Sequence, residues 1–185
     1  MKTIHKLLDY LIVIFILFSL FHVPLVFAAK PPAEYEVKVA FLLKFPVFIE
    51  WPDSAQIVGS SPLAIGIVGA DPFGALLPAD VSPEEPDFLS FKVTRITDKE
   101  EDLSKFQIIY IGGSDSNFAA SVIEKIQNKP VLTVGEGKQF LSAGGIISFS
   151  LENNRVRFQI NLKNAKKSNL KISSQLLNLA NFTIK

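Results

Sequence analysis

Apolar and polar residues change rhythm along this chain. The first run, Leu11 to Phe21, is apolar except for Ser19, and Lys2, His5 and Lys6 precede it. From Glu34 to Ile49 the spacing becomes helical, with one apolar set at Tyr35, Val39, Leu42 and Leu43 and a second at Val37, Phe41, Phe45 and Phe48. Together the two sets cover more than one helix face. Pro46 is expected to kink this helix or end its regular part, since proline has no N–H to donate and its ring crowds the preceding turn.

Further on, Leu63–Val68, Phe91–Ile96, Gln107–Ile111 and Val131–Val134 are short apolar runs bounded by turn residues, and they read as buried strands. Asp71 is placed to cap a helix with Pro72 at its first position. Asn117–Ile126 reads as a helix with Phe118, Val122 and Ile126 on one face, and a shorter helix is expected over Gln139–Ser142. Ile146–Leu151 and Arg155–Asn161 flank Glu152-Asn153-Asn154, a hairpin signal. Lys163–Asn181 reads as one closing helix with Leu170, Ser173, Leu177 and Ala180 along a stripe. The pattern predicts a single α/β domain: a mostly parallel sheet flanked by helices, with a late antiparallel hairpin and a C-terminal helix.

The N-terminal run has the order of a secretory signal: basic start, apolar stretch, Pro24, then Val26-Phe27-Ala28 with small residues at the cleavage positions. Residues 1–28 are therefore expected to be removed and 29–185 to fold outside the cytoplasm. The competing reading is a retained anchor, since Tyr10–Phe27 approaches the length needed to span a bilayer. Removing Lys2, Lys6 and Asp9 from 19 basic and 18 acidic residues leaves 17 of each, so no basic excess is left to hold nucleic acid. Both histidines, His5 and His22, lie in the signal and the chain has no cysteine. Imidazole-based nucleophilic catalysis and most zinc sites are thereby excluded, and no cofactor or metal is expected.

Four candidate surfaces follow. Val37, Phe41, Phe45 and Phe48 form a second apolar stripe that either meets a partner or is buried within the domain. Gly69–Gly74 and Gly112–Ser116 follow predicted parallel strands, where α/β sheets take ligands or simply turn. Arg157 and Asn161 share a strand face, and with Asn154 nearby, and Asp71 as a second element, they suggest a pocket for a carboxylate or phosphate; a solvated strand face is the other reading. Lys163, Lys166, Lys167 and Lys171 read as a solvated helix face, and the acid pairs Glu84/Glu85 and Glu100/Glu101 as solubilising charge. A carboxylate-based hydrolase using Asp71 or Asp115 is the only enzymatic reading left open, and no enzyme is the expectation.

The order Glu34-Tyr35-Glu36-Val37-Lys38-Val39-Ala40-Phe41-Leu42, Phe48-Ile49-Glu50-Trp51-Pro52, Gly69-Ala70-Asp71-Pro72-Phe73-Gly74, Leu132-Thr133-Val134-Gly135-Glu136, Gly144-Gly145-Ile146, Asn154-Arg155-Val156-Arg157-Phe158-Gln159-Ile160-Asn161 and Leu170-Lys171-Ile172-Ser173-Ser174-Gln175-Leu176-Leu177 resembles the YfiR family across residues 34–182. The resemblance implies a periplasmic regulator that binds and restrains an inner-membrane diguanylate cyclase of the YfiN type. It also implies relief by an outer-membrane lipoprotein of the YfiB type, cyclic di-GMP as output, and a homodimer. Members carry cysteine pairs that this chain lacks, so redox control does not carry over. The alternative function is a periplasmic small-molecule-binding accessory of a sensor kinase or transporter. Mass spectrometry of the exported protein is expected to place its first residue at Ala29; an intact residue 1–28 segment in the membrane fraction would establish the anchor instead.

Overall fold

Runs of branched apolar residues build the centre of this fold, because a parallel strand buried on both faces needs them at every position. The computed structural model describes residues 33–55, 61–82, 89–97, 101–113 and 115–184. The signal 1–28 and the acids Glu84, Glu85 and Glu100 lie outside the described residues. The chain runs α1 (Ala33–Lys44), a 3₁₀ turn (Phe45–Phe48), β1 (Ile49–Glu50), β2 (Leu63–Gly69), β3 (Asp80–Val81), β4 (Phe91–Ile96) and β5 (Ile108–Gly112). There follow α2 (Ser116–Lys125), β6 (Leu132–Glu136), α3 (Lys138–Ser142), β7 (Ile147–Glu152) and β8 (Arg155–Asn161). The chain closes with α4 (Leu162–Lys167), β9 (Lys171–Ile172), α5 (Ser174–Leu179) and β10 (Phe182–Ile184).

Eight strands form one sheet in the order β10-β8-β7-β6-β5-β2-β4-β3. The five from β4 to β7 are mutually parallel, β7 and β8 make the antiparallel hairpin, and β10 lies parallel to β8. Alternation along each strand feeds two cores. Leu63, Ile65 and Ile67 of β2, Ile108 and Tyr110 of β5, and Leu132 and Val134 of β6 meet Val39, Leu42 and Phe45 of the first helical segment. Ile109 and Ile111 face the other way, onto Ala119 and Val122 of α2 and Phe140 and Leu141 of α3. Helices thus cover both faces, as expected.

Pro46 does end the α-helix: α1 stops at Lys44 and the chain tightens into the 3₁₀ turn. Asn153 and Asn154 both take positive φ, 50° and 58°, which is the backbone a two-residue hairpin turn demands. Two expectations are corrected. The closing helix is broken into α4, β9, α5 and β10, because Asn169 adopts φ 55° after α4 and Ser173 then caps α5 by accepting from the Leu176 N–H. The released residues Lys171 and Ile172 pair with β1 instead. After Pro72 only a single 3₁₀ turn, Gly74–Leu76, forms, with Gly74 at φ 49°.

Aromatic packing fixes α1 to the hairpin. Phe45 is 1% exposed, with its ring centroid 5.7 Å from Phe149 and 5.3 Å from Phe158. Phe45→Ala should therefore cost about 3–5 kcal/mol of unfolding free energy, as large-to-small changes at buried aromatics do, measured by urea denaturation followed by circular dichroism.

Candidate binding cleft at the carboxyl edge of the sheet

Beyond β2 the chain moves to β4 on one side, whereas β5 and the later strands lie on the other. The carboxyl ends of β2 and β5 therefore send their loops apart, and such a reversal leaves a crevice. Gly112 makes the floor of this crevice tight: a Cβ there would stand 1.7 Å from the Ala70 carbonyl oxygen. Gly137, at φ 80°, turns the chain away from β6 into α3 and leaves Glu136 at the lip. The resulting cleft of about 540 Å³ is bounded by Glu34, Tyr35, Pro72, Tyr110, Glu136 and Ser150.

Lys38 lies under this cleft, projected from the inner face of α1 where Leu42 and Phe45 continue the same stripe. Its side chain is 1% exposed. The ammonium donates to Glu136 Oε2 at 2.8 Å, pairs with Glu34 Oε1 at 2.5 Å, and sits 4.6 Å from the centroid of the Tyr35 ring. The Tyr110 hydroxyl donates to the other Glu136 oxygen at 2.7 Å. Phe73 closes the apolar side, its ring centroid 4.6 Å from that of Tyr110.

Electrostatics follow from this geometry. Burial alone would drive the Lys38 pKa down, but the bonds to Glu136 and Glu34 outweigh it and the net shift is upward. Burial first, and then the Glu136 charge and hydrogen bond, push Tyr110 strongly up. One ammonium meets two carboxylates, so the cleft carries net negative charge when all three ionise. Among the described residues no group of three or more His, Cys, Asp and Glu side chains is arranged to hold a metal ion.

The residues read from sequence fall elsewhere. Asp71 accepts from the Phe73 N–H at 2.8 Å and the Gly74 N–H at 3.3 Å, and pairs with Arg95 Nε at 2.7 Å. Burial opposes ionisation of Asp71, yet the Phe73 N–H and Arg95 hold its pKa below the usual carboxylate range. Arg95 also donates to the Gly74 and Leu77 carbonyls at 2.9 Å, so this pair pins the loop after β2. Asn154 is exposed in the hairpin turn, and Arg157 is exposed on β8 opposite Ser150. Asn161 is buried at the far end of β8 and caps α4 by accepting from the Asn164 N–H at 3.1 Å. Strands β7, β6 and β5 separate β8 from the loop of Asp71, so these four do not converge on one pocket. Of the apolar stripe, Val37 is exposed, Phe41 and Phe48 are half-buried against the core, and Phe45 is wholly inside it.

Lys38, Tyr110 and Glu136 escape a reading by motif. The available signal was Lys38 itself, a charge in the stripe that continues through Leu42 and Phe45, with Glu34 one turn before it.

A family model described as YfiR/HmsC-like matches residues 35–181, a span that includes nearly all of α1, the cleft and both cores. The chain belongs to the YfiR/HmsC-like family. Among solved structures, a conserved domain protein from Vibrio cholerae is similar at 11% identity and a TM-score of 0.44, covering 80% of this chain. The chain spans 60% of that protein's length. No curated protein matches the sequence.

In this YfiR/HmsC-like domain the buried network sets an alkaline limit. Lys38 and Tyr110 both have folded pKa values above their ordinary 10.5 and 10.0. Both must therefore stay protonated in the folded state, and their stabilisation is complete below pH 10 and lost as pH rises further. The urea midpoint should fall between pH 8 and pH 11, and a Lys38→Met/Tyr110→Phe variant should show a clearly smaller fall; an equal fall would place the sensitivity elsewhere.

Proposed function

We propose that this protein is a periplasmic binding protein that inhibits an inner-membrane diguanylate cyclase by contact with the cyclase's periplasmic sensing region, so lowering cyclic di-GMP output. The observation that carries this reading is family membership, joined to an apolar surface on the first helical segment. Val37 on α1 is 43% exposed and Val47 on the following turn is 63% exposed. Phe41 and Phe48 border this surface, while Phe45 supports it from beneath.

Inhibition of this kind works by differential affinity: the domain binds one state of the cyclase more tightly and shifts its population. Turning a mostly active population into a mostly inactive one takes a preference of about 10⁴-fold. A lipoprotein of the outer membrane that competes for the same surface relieves the inhibition, and a homodimer presents two such surfaces. With no cysteine in the chain, relief proceeds by competition rather than by thiol chemistry.

Charge placed on the surface separates binding from folding. Val37→Glu and Val47→Glu should abolish recovery of a cyclase from solubilised inner membranes while leaving the melting temperature within a few degrees. Phe41→Glu should instead unfold the domain, because Phe41 packs 5.4 Å from Phe158 and 6.1 Å from Phe45. Retention of the cyclase by both valine variants would remove this surface from the proposal, and recovery of a kinase or transporter by the parent would replace the partner.

A further inference from the structure

Towards the amino ends of β6 and β7, away from the Lys38 cleft, one row of residues crosses four strands. The Ile146 N–H donates to Thr133 Oγ1 at 3.0 Å, and the Asn161 N–H donates to the Ile146 carbonyl at 2.8 Å. Ile184 of β10 lies opposite Asn161. All four residues line a cavity of about 600 Å³, whose other walls include Ile123 and Ile126 at the end of α2 and Leu141 of α3.

Asn161 is 7% exposed. Its amide has only one orientation, because Oδ1 must be the atom that accepts from the Asn164 N–H at 3.1 Å. The other amide atom, Nδ2, donates to no described residue. It is not sealed in either: among the described residues only Trp51 Nε1 is both enclosed and unpaired. Asn161 Nδ2 therefore reaches open space, and the open space that Asn161 borders is this cavity. The neighbouring Asn164 amide is spent on the Gly145 carbonyl at 3.1 Å. Lys163, Lys167 and Glu124 stand exposed at the rim, where water serves them. One nearly buried NH₂ group is thus left without an acceptor among aliphatic walls, a condition that an incoming acceptor relieves.

We propose that this cavity binds a small aliphatic molecule through an uncharged carbonyl oxygen, that of an amide, ester, lactone or ketone. The oxygen accepts from Asn161 Nδ2, and the hydrocarbon body lies on the half-buried side chains of Ile123 and Ile184. The volume suits a ligand of this size. A carboxylate is selected against, because no buried cation lines the cavity and an ionised group taken from water without one is costly. The site is separate from the cleft above Lys38 and does not depend on the cyclase reading.

Octanamide and octanoate share shape and chain length and differ in charge, so they test the assignment directly. In the exported protein labelled with ¹⁵N, the Asn161 side-chain NH₂ pair is identified by its loss in Asn161→Asp. Octanamide should move that pair saturably downfield, and octanoate at pH 8 should bind at least about tenfold more weakly. Asn161→Asp and Asn161→Ser both retain an oxygen that caps α4 and withdraw the NH₂ group. Each should weaken octanamide about tenfold, followed by the shifts of the Ile123 and Ile184 amides, with thermal melting as the check on folding. Using both variants keeps the test open where the new charge of the aspartate disturbs the fold. No saturable shift with octanamide, parent-like affinity in Asn161→Ser, or equal affinity for octanoate overturns the proposal.

Discussion

Contact between Phe45 and the pair Phe149 and Phe158 holds the two ends of this domain together. The first residue opens the 3₁₀ turn directly after the opening helix, whereas the other two lie on the late hairpin, and no disulfide substitutes for them. Everything at the carboxyl edge depends on where that contact sets α1. It brings Lys38 over the ends of β5 and β6, makes α1 a wall of the cleft, and leaves Val37 and Val47 facing outward. A shift of the helix by one turn, about 5.4 Å, would carry the Lys38 ammonium out of hydrogen-bonding reach of Glu136.

The polar link beside this contact does a different job. Removing an ammonium from water is costly, and the attraction to Glu136 and Glu34 offsets that cost without a large surplus. The network therefore fixes the position of α1 more than it strengthens its attachment, while the rings supply the attachment. Because Glu136 also accepts from Tyr110, the helix is registered against two neighbouring strands at once.

Much of the architecture was legible because it rests on local chemistry. Parallel strands declared themselves through apolar runs, the hairpin through Asn153-Asn154, and the end of α1 through Pro46. The closing helix was misread because its stripe of Leu170, Ser173, Leu177 and Ala180 suits a helix, and only the left-handed backbone at Asn169 shows that the chain breaks there. Binding chemistry was less legible. Arg157, Asn154, Asn161 and Asp71 looked like a polar group in sequence, but sheet order separates them, and strand order is not written in any one segment. Lys38 and Glu136 stand 98 positions apart and meet only once the sheet has formed.

That separation matters for a chain that appears amino end first. Helix α1 emerges before any of the strands that will shelter it, and its Phe41 and Phe45 wait for the hairpin near the far end of the polypeptide. Until then the helix is a solvent-exposed apolar segment with no intramolecular surface to rest on, and non-local contacts of this kind are slow to close. The same residues that later secure the domain are, during its birth, an exposed adhesive surface. Within residues 29–185, a holding chaperone that recognises short aromatic stretches has a target there until the hairpin arrives to take its place.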